Sequence, residues 1–174
     1  MDIQLIGKNS LKIKGRNASF LIDPDKTLGK TQADAIILLS LSTNQISSKI
    51  EGSRITITGP GEYEVGGVKV SATRVDDRLV ISADVDAVKL LLGSGKSIEK
   101  IHDNIPECDI ALVNATDDFN QAVLTAIEPK VLILFGENKK SVTKMLGKED
   151  APKASKYSAT PGKLPAEMEI VLLG

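Results

Sequence analysis

Several short stretches of the chain carry residue types that can do chemistry. Glu62 and Glu64 stand two apart in Gly61-Glu62-Tyr63-Glu64-Val65. On a strand that spacing turns both carboxylates to one face, where they could work as acid and base or hold a cation. Gly93-Ser94-Gly95-Lys96-Ser97 combines glycine, hydroxyls and a lysine. If a helix starts near Ile98, the Gly95 amide and Lys96 could take a small anion, although the full phosphate-loop spacing is missing. Ser40 and Ser42 are nucleophile types, but the only histidine, His102, would have to reach them through the fold. Each stretch also has a structural reading, and that reading is favoured. Glu62 can bond to backbone or a lysine with Tyr63 packed beneath, the glycine stretch can be a plain strand-to-helix turn, and Cys108 can be a small buried side chain.

Composition narrows the choice. One histidine and one cysteine cannot build a His/Cys metal cluster or an intramolecular disulfide. Asp23, Asp25 and Asp34 sit beside turn or strand-boundary signals, where capping roles are commoner than cation binding. Lys and Arg number 22 against 23 Asp and Glu, with no basic stripe, so nucleic acid is not an expected partner. The densest basic group, Lys139, Lys140, Lys144 and Lys148, runs into Glu149-Asp150 and reads as a solvated helix face. No apolar run is long enough to span a membrane and no secretory leader is evident, so a cytoplasmic protein with no membrane partner is expected. A chain of 174 residues fits one domain, residues 1–174.

The elements that must position these residues are mostly strands. Short β-branched runs separated by Gly, Asn and Asp cover Ile3 to Ile6, Leu11 to Ile13, Ala18 to Ile22, Ala35 to Leu39, Arg54 to Thr58, Val68 to Ala72, Leu79 to Ser82 and Val88 to Leu92. Gly66-Gly67 between strand-like flanks marks a tight connection. Helical periodicity comes later. Phe119, Val123 and Ile127 share a face over Asp117 to Ile127, ahead of Pro129, and a second helix is expected from Ser141 with Val142, Met145 and Leu146 inward. The first of these helices joins strands at Asp109 to Asn114 and Val131 to Phe135, a βαβ unit. Residues Ala151 to Pro165 read as a loop before a last strand from Glu167 to Leu173.

The order of these pieces resembles a known family across nearly the whole chain. Phe20-Leu21-Ile22-Asp23-Pro24 is similar to its Ile-Asp-Pro strand end, and Gly59-Pro60-Gly61-Glu62-Tyr63-Glu64-Val65-Gly66-Gly67-Val68 gives the most specific match. The family is the metallo-beta-lactamase-fold hydrolases, and the subgroup is its uncharacterised Zn-dependent hydrolases. The resemblance implies an α+β, four-layer αββα sandwich, reduced in size. It also aligns the family's metal-binding His, His, Asp and His with Ser40, Ser42, Asn44 and Gln45. Lys8 falls where many members have a histidine, Ser94 replaces the bridging aspartate, and the Phe135-Gly136 end lacks the last histidine. Neutral hydroxyls and amides hold a divalent metal poorly, so no metal and no cofactor is expected.

The resemblance therefore implies a degenerate, metal-free site made of Lys8, Ser40, Ser42, Asn44, Gln45 and Ser94, without catalytic residues. Neutral hydrogen bonds should close the old cavity, with Lys8 extended outward or paired to a carboxylate such as Asp23. Glu62, Gly95 and Lys96 remain candidate ligand contacts. The expected role is binding or assembly, with a homodimer or larger homo-oligomer as partner. The alternative is a hydrolase of a small phosphorylated, ester or lactone metabolite that uses a non-standard site.

Overall fold

The computed structural model describes residues 1–40, 49–101, 104–105, 107–115 and 119–174, without the side chains of residues 125 and 126. Ser42, Asn44, Gln45 and His102 lie outside these residues. The first half of the chain forms β1 (Asp2–Leu5), β2 (Leu11–Lys14), β3 (Ser19–Ile22), β4 (Thr31–Gln32), β5 (Ala35–Ile37), β6 (Ile50–Glu51), β7 (Ile55–Ile57), β8 (Gly61–Val65), β9 (Val68–Val75) and β10 (Arg78–Val85). Then follow β11 (Val88–Ser94), α1 (Gly95–Lys100), β12 (Ile110–Asn114), α2 (Ala122–Ile127), β13 (Val131–Phe135), α3 (Lys139–Met145), β14 (Lys153–Ala154), β15 (Lys156–Ser158) and β16 (Glu169–Leu173).

Two sheets pack face to face. One has six strands in the order β15-β1-β2-β3-β5-β7, and the other eight in the order β14-β16-β13-β12-β11-β10-β9-β8. The sequence of each strand follows from what covers it. Along β13, Val131, Ile133 and Phe135 enter the core between the sheets, while Leu132 and Leu134 enter a second core beneath the helices. Both faces are dry, so the run is continuously apolar, as is usual for parallel strands. By contrast β1 and β2 bury Ile3, Leu11 and Ile13 and alternate them with Asp2, Gln4, Lys12 and Lys14. That outer face is wet and needs no helix over it.

Ile98 of α1, Val123, Leu124 and Ile127 of α2 and Val142 of α3 all join the second core, so these three helices cover the larger sheet. The βαβ unit forms as expected, with β12 and β13 parallel and Ile110 in register with Val131. The architecture matches the αββα type of sandwich in a small version, with the described helices all on the larger sheet.

Several boundaries differ from the sequence expectation. Helix α2 begins at Ala122, whose N–H donates to Asn120 Oδ1 at 3.0 Å, and ends where Glu128 adopts φ 45° before Pro129. Helix α3 begins at Lys139, two residues early, and Met145 is 46 % exposed: so short a helix turns Val142 inward and leaves Met145 outside. Lys139 leaves the solvated face that was expected and donates from Nζ to the Leu173 carbonyl, and its partial burial lowers its pKa. The segment read as a loop carries β14 and β15. These strands staple the two sheets, since Lys153 pairs with Leu172 of β16 and Ser158 with Asp2 of β1. Runs of two or three residues rich in Lys, Ser and Ala carry no periodic signal, and only the neighbouring strands make them extended. Among the described residues no helix is long and apolar enough to cross a membrane.

Candidate functional site

Strand direction gathers the ends of both sheets at one rim. β1 and β3 are each antiparallel to β2, and β3 is parallel to β5, so the loops after β1, β3 and β5 leave on the same side. In the larger sheet Ser94, Asn114 and Phe135 stand in register at the ends of β11, β12 and β13. Hydrogen bonds and an ion pair tie the rims together. Leu79 N–H donates to the Leu39 carbonyl at 2.8 Å, beside the bridge between Ser40 and Arg78. Lys8, after β1, forms an exposed ion pair with Glu137, after β13, and that contact raises the lysine pKa and lowers the glutamate's.

Asp23 organises the smaller sheet's rim. Its carboxylate accepts from Leu39 N–H at 2.8 Å, its own N–H donates to the Ile37 carbonyl at 3.0 Å, and Ser10 Oγ donates to its carbonyl at 2.7 Å. Burial pushes its pKa up to about 6, against the opposing pull of the Leu39 N–H and of the Arg78 charge. The sequence reading offered Asp23 as a partner for Lys8. The structure gives Lys8 to Glu137 instead, because Asp23 is turned onto the backbone that enters the Ser40 loop.

Ser94 is buried and spent on local structure. Its Oγ accepts from Ser97 N–H at 3.2 Å as the cap of α1 and lies 2.7 Å from Ser97 Oγ. Gly95 is explained by packing: a Cβ there would sit 2.6 Å from the ring of Phe119. Gly136 is closed as well. It has φ +94°, and a Cβ on it would fall 2.4 Å from Asn114 Oδ1. A histidine at this strand end would need Asn114 to leave.

A cavity of about 240 Å³ adjoins Ser94, lined by Arg78, Lys96, Ser97 and the turn residues Asp76 and Asp77. Glu62 and Glu64 are not part of this rim. They lie exposed on edge strand β8, opposite Ser71 and Lys69, with half-buried Tyr63 between them donating to the Gly59 carbonyl at 2.9 Å. Burial pushes the Cys108 thiol up to about 12. Among the described residues no three His, Cys, Asp or Glu side chains come together as a metal site. Among the described residues at the matched strand ends, Ser40 and Ser94 offer hydroxyls and Asn114 an amide, which hold a divalent metal poorly.

Sequence reading missed Arg78 and Asn114; for Asp23 it gave a backbone-bonding role but not the Leu39 N–H as the partner. Asn114 was visible as the polar end of an apolar run. Arg78 gave no local signal, since a long hairpin brings it to the rim.

No protein-family model and no curated protein matches the chain. Solved structures do. The chain is similar to a proposed Zn-dependent hydrolase of the metallo-beta-lactamase superfamily from Thermotoga maritima, with TM-score 0.76 and 19 % identity over 99 % of this chain and 98 % of that one. It is also similar to an isothiocyanate hydrolase from Delia radicum gut bacteria (TM-score 0.59, 12 % identity, 98 % and 96 % covered). A third is a proposed metal-dependent hydrolase from Parabacteroides distasonis (TM-score 0.56, 14 % identity, 97 % and 91 % covered). Two facing sheets, strand ends gathered at one rim and these full-length superpositions make this the metallo-beta-lactamase fold.

Proposed function

We propose that the chain is a metal-free, catalytically inactive form of this fold that serves in binding or assembly. The observation that carries the reading is the replacement of the metal site. Ser40, Ser42, Asn44, Gln45 and Ser94 stand at matched positions, and the Asn114 amide lies over Gly136, where the last histidine would emerge. Carboxylates and imidazoles clustered without a cation are costly, whereas hydroxyls and amides can bond to one another without net charge. The ion pair of Lys8 with Glu137 across the mouth supports the same reading. Assay of the purified protein against esters, lactones and phosphodiesters, with and without added Zn²⁺, Mn²⁺ and Mg²⁺, should give no turnover above a heat-denatured control. Hydrolysis that scales with protein concentration and survives purification would overturn it.

The proposed partner is a second copy of the chain, supported by sheet edges that among the described residues pair with no further strand, β7 on one flank and β14 and β15 on the other. The proposed compartment is the cytoplasm, supported by the single buried free cysteine.

A further inference from the structure

We propose that edge strand β8 docks an extended segment of a partner protein, one that presents a basic, an apolar and a basic side chain in succession and joins the larger sheet as an added antiparallel strand. β8 stands last in the order of that sheet, and among the described residues it pairs with β9 alone. Gly66 and Gly67, at φ 58° and 79°, form the tight turn between these two strands. Val65 and Val68 are therefore the closing pair, which exchanges backbone bonds. Alternation from that pair gives Tyr63 and Gly61 to β9 as well, and it directs the N–H and C=O of Glu62 and Glu64 away from the sheet. The register runs unbroken from Gly61 to Val65, without a bulge to turn the edge aside.

Charge selects the occupant. Glu62 and Glu64 are both exposed and share the outer face of the sheet. Among the described residues neither closes an ion pair, although Lys69 lies opposite Glu64 in register. A second β8 would set like charges opposite one another, whereas cations two residues apart on an added strand would each stand opposite a glutamate. The residue between those cations falls opposite Tyr63 and on its face. The Tyr63 hydroxyl is spent on the Gly59 carbonyl at 2.9 Å and its side chain packs against the core between the sheets, so an apolar middle side chain extends that core. In strand addition of this kind the main-chain bonds supply affinity and the alternate side chains choose the partner.

This contact uses β8 alone and goes beyond the metal-free reading; a metal found at the rim would leave it standing. The test is titration of the ¹⁵N-labelled full chain with a blocked peptide, Thr-Lys-Val-Lys-Val-Lys-Thr, and in parallel with its counterpart bearing glutamate for each lysine. The expected result with the lysine peptide is a saturable shift of the Glu62, Tyr63 and Glu64 amides and slower hydrogen exchange at Glu62 and Glu64, with neither effect from the glutamate peptide. A lysine peptide N-methylated at its lysine amides keeps the charge and loses the donors, so it should bind at least about tenfold more weakly. Glu62→Lys with Glu64→Lys changes two exposed side chains and should exchange the preference, the glutamate peptide then binding at least about tenfold tighter than the lysine peptide. If that variant fails to fold, Glu62→Gln with Glu64→Gln decides, with a loss of about threefold or more in affinity for the lysine peptide. No saturable shift, equal binding of the N-methylated peptide, or a preference unchanged in the charge variants overturns the assignment.

Discussion

Asp23 makes a residue-scale prediction with a sign. Its folded-state pKa of about 6 lies above the ordinary value of 3.8, so in that window the folded chain holds a proton that the unfolded chain releases. Stability from this group is therefore present at low pH and falls as pH rises through the window. An asparagine in its place would keep an oxygen for the Leu39 N–H and tolerates φ 42°. Asp23→Asn should raise the melting temperature above pH 7, with the gain shrinking toward pH 4; a gain that is constant across the range would contradict the assignment. Gly136 is the second case. Gly136→His places a side chain at φ +94° and a Cβ 2.4 Å from Asn114 Oδ1. A cost of about 2–4 kcal/mol in urea unfolding is expected, and a variant as stable as the parent would show that Asn114 yields easily. The loss of ligands was legible at this scale, since the residue types are plain in the sequence. What filled the space was not, because Asn114 and Gly136 meet only through the register of two parallel strands.

Among the elements, the strands with one wet face and the strands with two dry faces were readable from alternation and continuity, as β2 and β13 show. Short elements were harder to read. β14 and β15 owe their extension to β16 and β1, and α1 is fixed by the Ser94 cap and by Phe119 arriving from the segment before α2. Gly95 is the position where that packing can be tested. With Phe119 Cδ2 only 2.6 Å from a would-be Cβ, Gly95→Ala should cost about 1–3 kcal/mol by overpacking, despite alanine's better helix propensity. Urea unfolding of the variant measures it, and a stabilised protein would mean that the ring moves aside without loss. The same contact argues that the second glycine in Gly93-Ser94-Gly95 is there for packing.

For the whole molecule, the layered architecture was legible as soon as the strand order was set beside the family pattern, yet local periodicity alone would also have allowed a simpler α+β domain. The similar Thermotoga maritima chain is spanned to 98 % of its length, so compactness is shared by another chain of this fold. Open edges remain on both flanks, and on β8 the exposed Glu62 and Glu64 would face their own copies in a β8 to β8 pairing, which like charges disfavour. Self-association through the other edges should appear as a mass above 18.5 kDa in light scattering at micromolar concentration. A monomer at every concentration would remove the proposed partner.

The proposed metal-free state of this fold rests on donor chemistry at one rim. Elemental analysis by plasma mass spectrometry of the tag-free protein, purified without chelator, addresses it directly. Zn, Mn and Fe are each expected far below one equivalent per chain, before and after incubation with the metal and desalting. One tightly held equivalent of any of them would contradict it.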